Sequence, residues 1–126
     1  MALTAVIFSA LCVLAGLFQF ALVLGAPWGE YTMGGRFPGK LPPKMRLAAL
    51  FQIVILFMIA LIVLIRSGVV VNQFYDVSKT AIWFVVFFFV TGSILNILTP
   101  SKRERAIWGP VNILLLILSV LVALSA

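Results

Sequence analysis

Four stretches, residues 3–25, 47–65, 80–98 and 106–125, contain no Asp, Glu, Lys or Arg in their interiors. A helix needs about 20 residues to cross the hydrocarbon of a bilayer, and each stretch is long enough. In lipid every backbone N–H and C=O must be bonded within the protein, which leaves only helices and closed barrels. Barrel strands are about half this length and alternate in polarity. These stretches do not alternate, so the sequence predicts an all-α membrane protein. Its expected form is a four-transmembrane-helix antiparallel bundle making a single integral membrane domain over residues 1–126.

Composition closes the alternatives. The chain is 64% hydrophobic and 10% charged, with a mean hydropathy of +1.27. A soluble domain carries about a quarter charged residues, and one near this size still exposes about a third of its unfolded surface. A water-soluble monomer is excluded. The chain has no histidine and a single cysteine, Cys12, which excludes a disulfide scaffold and a zinc site. No metal or cofactor is implied. The first span is too long for a secretory signal, with no basic residue before it and no A-x-A site after it, and reads as a retained helix.

Basic residues predict the orientation. Arg36, Lys40, Lys44, Arg46, Lys102, Arg103 and Arg105 fall in or beside the 26–46 and 99–105 loops, leaving only Arg66 and Lys79 on the other side. Positive charge is retained in the cytoplasm during insertion. The expectation is a multi-pass protein of the cell membrane with both loops cytoplasmic and both termini outside. The net charge of +6 then suits anionic lipid headgroups as partners. It does not suit nucleic acid, because the basic residues are tied to span ends without an aromatic-basic platform.

Each span holds one carboxamide: Gln19, Gln52, Asn96 and Asn112. Gln19 and Asn96 come late in helices that run inward, and Gln52 and Asn112 come early in helices that run outward. All four are therefore expected in the cytoplasmic half, converging on one another. An amide in hydrocarbon costs free energy unless its donors and acceptors are satisfied. Two readings stay open: interhelical glue, and a solvated or ligand-binding cavity. The candidate ligand-binding set is these four amides flanked by Glu30, Arg36, Arg46, Glu104 and Arg105. Small residues place Ala5, Ser9, Cys12, Gly16 and Gln19 on the packed face of the first helix. Phe84 and the run 87–89 are expected to face lipid.

The loop GAPWGEYTMGGRFPGKLPP holds five of the nine glycines and four of the six prolines, yet it also carries Trp28, Tyr31, Met33 and Phe37. An ordered cap at the interface fits better than a mobile linker, with Trp28 near Trp108 and Gly109. Gly34, Gly35 and Gly39 permit positive φ, so backbone N–H groups there can converge on an anion. Ser101 is a good N-cap for the fourth helix, and Glu104 three residues on completes a capping box.

The segments PWGEYTMGG, FPGKLP and TPSKRERAIWGPVN together resemble those of small bacterial four-helix membrane proteins. The resemblance covers most of the chain and implies the fold and the membrane location, with no activity attached. The small multidrug transporters have a similar length and span number, but they depend on a glutamate in the first helix, where this chain has Gln19. The small fluoride channels match in size, and their glycine-rich arginine motif is missing here.

General acid–base chemistry would have to fall to Glu30, Glu104, Asp76 or Tyr31. Arginines beside the two glutamates favour ionised, structural roles, so the sequence leans away from an enzyme and assigns no catalytic residue. The leading expectation is binding or transport of a small polar, anionic or amphipathic molecule. A chain this short needs a partner copy to enclose a path, so a homodimer is considered. The alternative is a non-transporting membrane subunit or lipid-interacting scaffold.

Overall fold

The computed structural model describes residues 1–71 and 73–125. Among them are four α-helices, α1 (Ala2–Val23), α2 (Pro43–Arg66), α3 (Tyr75–Leu98) and α4 (Lys102–Leu124). Two single-turn 3₁₀ helices, Gly29–Tyr31 and Met33–Gly35, lie in the α1–α2 loop. All four α-helices are long and apolar enough to cross a membrane. The protein is an all-α, four-helix, multi-pass membrane protein.

The helices outrun the apolar stretches that announce them. α2, α3 and α4 begin four or five residues before positions 47, 80 and 106, because a polar residue ends hydropathy without ending a helix. Pro43 opens α2 at a position where a missing N–H costs nothing. α1 ends at Val23, short of 25, because Gly25 adopts φ +100°. Its N–H donates to Leu22 O (3.1 Å) and that of Ala26 to Ala21 O (2.9 Å), closing the helix end. Pro110 is carried inside α4.

α1 packs along α2 and α3 along α4, and the two hairpins meet more sparsely through α2–α3 and α1–α4. The core lies toward the end of the bundle away from the loop. Ala5, Phe8, Ile59, Val63, Ile82, Val85 and Val122 are buried there. Phe8 meets Phe89 edge to face, with ring centroids 5.6 Å apart. Phe89 is therefore core rather than lipid-facing, and Phe88 is half-buried. At about 100° per residue three consecutive positions cannot share a face, and only Phe84 and Phe87 remain largely exposed. The packed face of α1 is likewise turned from the expected one: Ala5, Phe8, Cys12 and Ala15 are buried, while Ser9 and Gly16 are half-buried.

Candidate functional site

The α1–α2 loop is held over the bundle by groups at the start of α4. Ser101 Oγ accepts from Glu104 N (3.1 Å), capping α4 as its spacing predicts. The same hydroxyl donates to Glu30 O in the loop. Arg103 donates to Glu30 Oε1 (2.7 Å) and to Tyr31 Oη (3.1 Å). The reciprocal half of the capping box does not form. Ser101 N–H turns to Thr99 Oγ1 (3.3 Å), and the Glu104 carboxylate reaches across to accept from Gly34 N–H (3.2 Å). The glycine loop does present a backbone N–H to an anion, and that anion is the chain's own Glu104.

Aromatic packing completes the cap. Phe18 of α1 stacks on Trp28 with centroids 6.1 Å apart and touches Trp108 at 4.8 Å, so it joins the two tryptophans. Gly29 closes the loop by donating to Gly39 O (2.8 Å). A Cβ on Gly29 would run into the carbonyl oxygen of Phe37, so only glycine fits there.

Beneath this cap lies a cavity of about 790 Å³. Each helix contributes its carboxamide: Gln19, Gln52, Asn96 and Asn112 all line it, with Leu56 and Leu115 below and Trp108, Tyr31, Met33, Gly34 and Arg36 above. Depth brings the amides together, since late residues of one antiparallel helix lie beside early residues of the next. On α3 the cavity runs out to Phe84 and Phe87, which are 71% and 69% exposed. Its margin therefore reaches the lipid-facing surface. The same two rings join a second depression of about 600 Å³ that continues along α3 past Trp83 to Lys79.

The amides share the cavity without pairing. Asn96 Nδ2 donates to Gly92 O of its own helix (2.7 Å). Asn112 Oδ1 lies beside Gly92, where an added Cβ would be 3.6 Å away. Gln19 Oε1 is buried with no partner. Among the described residues no hydrogen bond links any two of the four.

The flanking charges divide into two groups. Arg36, exposed, and Glu104, buried at 7%, line the cavity. Glu30, Arg46 and Arg105 lie outside its lining. Glu30 faces Arg103; Arg46 Nε donates to Leu41 O (2.9 Å) and Arg105 Nη2 to Thr99 O (2.8 Å). Reasoning from sequence did not single out Arg103 or Phe18, which fasten the cap. Phe18 is one apolar residue among many in its span, and nothing in the sequence marks it.

Comparison with known proteins found no match among family models, curated proteins or solved structures. Fold and site together define an integral membrane four-helix bundle with a capped, amide-lined cavity. Among the described residues no group of His, Cys, Asp and Glu is arranged to hold a metal ion.

Proposed function

We propose that this membrane protein binds an amphipathic molecule, with its polar end in the carboxamide layer and its apolar end along α3. The reading is carried by one observation: four amides line a single cavity, yet none bonds another, and Gln19 Oε1 is left buried and unpartnered. Glue would show as interhelical amide bonds. A buried acceptor without a partner costs about 1–3 kcal/mol, a cost that a bound headgroup or water relieves. The exposed Phe84 and Phe87 at the margin give a hydrocarbon tail a route to the bilayer.

Seven of nine basic residues at the capped end favour a cytoplasmic position for that end, where Arg36, Lys40 and Lys44 would meet anionic headgroups. A reporter fused after residue 126 should then be active outside the cytoplasm. Activity only inside would reverse the orientation.

Native mass spectrometry of protein extracted in mild detergent tests the binding reading. Retention of a discrete amphiphile by the wild type, weakened in Asn96→Leu, is expected. Equal retention by both would favour a scaffold with nonspecific lipid contacts.

A further inference from the structure

Among the described residues, charge is unevenly placed in the cavity: of its two charged lining residues, the carboxylate of Glu104 is buried and the guanidinium of Arg36 is exposed. Asn96 spends its Nδ2 on Gly92 O, so its Oδ1 remains; Gln19 Oε1 is buried without a partner. The buried Glu104 carboxylate takes one backbone N–H, from Gly34, although a carboxylate has about four acceptor sites. The nearby guanidinium groups are committed elsewhere: Arg46 to Leu41 O, Arg105 to Thr99 O, and Arg103 to Glu30 and Tyr31. Arg36 is the remaining arginine on the lining, and it is exposed at the roof. Trp108 and Phe18 supply aromatic surface to the same space, while the Tyr31 ring already faces the Arg103 guanidinium, 5.7 Å from its centroid.

We propose that the headgroup this cavity selects is a primary ammonium. The inference rests on the amphiphile-binding reading and names its ligand class. An ammonium brings three N–H donors and no acceptor, the complement of the unspent oxygens. Its positive charge pairs with Glu104 in a site sheltered from water, where charge-assisted bonds are strong. The aromatic faces add attraction for a cation. An anionic headgroup would find amide N–H donors on Gln19, Gln52 and Asn112, but it would lie against the buried Glu104 carboxylate, with the lining's cation, Arg36, exposed at the rim. A primary ammonium on an apolar tail occurs in an aminolipid headgroup and in a free alkylamine. In the lipid an adjacent phosphate would also face Arg36.

The test uses the full chain in phosphatidylcholine nanodiscs, whose headgroups carry no primary ammonium. Tryptophan fluorescence is followed during titration with dodecylamine, dodecyltrimethylammonium, dodecyl sulfate, monododecanoylglycerol or lyso-phosphatidylethanolamine. Saturable binding of dodecylamine about tenfold tighter than of the trimethylammonium or the sulfate is expected. Glu104→Gln keeps an acceptor for Gly34 N–H but loses the charge. It should weaken dodecylamine about tenfold and weaken the uncharged monododecanoylglycerol by a smaller factor. A tighter fit for lyso-phosphatidylethanolamine, lost in Arg36→Ala, would support the aminolipid as source, and a tighter fit for dodecylamine the free amine. Equal or preferred binding of dodecyl sulfate or the trimethylammonium would overturn the ammonium assignment and leave amphiphile binding standing. So would a Glu104→Gln protein that binds dodecylamine normally. The wild-type headgroup series decides the matter even if that variant does not fold. Saturable binding of none of the five would instead remove the amphiphile-binding reading itself.

Discussion

The two ends of this bundle are made from the same four helices and differ in what fills them. Away from the loop, Phe8, Val63, Ile82 and Val122 are almost wholly buried among other apolar side chains. The buried charge there, Arg66, spends Nη2 on Ser125 O at the end of α4 (2.6 Å), where a cation meets the negative end of the helix. At the capped end the helices hold a cavity of about 790 Å³ lined by amides, under a loop fastened by Ser101, Arg103 and Glu104. Lipid gives little drive for apolar side chains to leave it, so close packing must hold the bundle. The filled end supplies that packing. The capped end forgoes it around four polar groups, and the contrast separates a region built for stability from one able to receive a ligand.

The largest expected effect is on the cap. Gly29→Ala forces a Cβ against Phe37 O, and displacing that backbone should cost about 3 kcal/mol. Limited proteolysis between Tyr31 and Lys40, slow in the wild type, should become rapid while the helices stay inserted. Phe8→Ala strikes the filled end. The unfolded helix also keeps its phenylalanine in hydrocarbon, so chiefly the cavity term counts, about 2 kcal/mol. Thermal stability in detergent should fall, with amphiphile affinity unchanged. If both variants altered affinity alike, the two ends would not be separate in function.

Asn96→Leu should change stability by no more than about 1 kcal/mol, since no interhelical bond is lost. Amphiphile retention should nonetheless fall. A large stability loss would restore the glue reading. Arg103→Ala is the mildest. Its ion pair with Glu30 is exposed, with side chains 62% and 41% accessible, and solvent screens such pairs until they contribute little. A small rise in loop proteolysis is the expected readout.

How much of this was legible depends on where each feature is encoded. The spans were, because a bilayer demands about 20 apolar residues in a row. So was the meeting of Gln19, Gln52, Asn96 and Asn112, since depth follows from position along antiparallel helices. The loop's order was legible in its aromatics and prolines. Helix rotation was not: Phe89 and Phe87 look alike in a run of phenylalanines, and only contact with Phe8 distinguishes them. Nor was the redirected Glu104. Its partner is the backbone N–H of Gly34, seventy positions away, and a backbone donor leaves no mark on residue identity. The same holds for Arg46 and Arg105, whose carbonyl partners Leu41 O and Thr99 O take them off the cavity lining.

The central claim is that the capped end holds a bounded amphiphile site rather than lipid contact in general. A Trp83→Phe protein keeps Trp28 and Trp108 of the chain's three tryptophans, both at the capped end. It can be titrated in phosphatidylcholine nanodiscs with a brominated-chain alkylamine, whose bromines quench nearby indoles. Saturable quenching that an unbrominated alkylamine reverses is the predicted result. Quenching that rises in proportion to bromine in the bilayer, indifferent to the competitor, would contradict the claim.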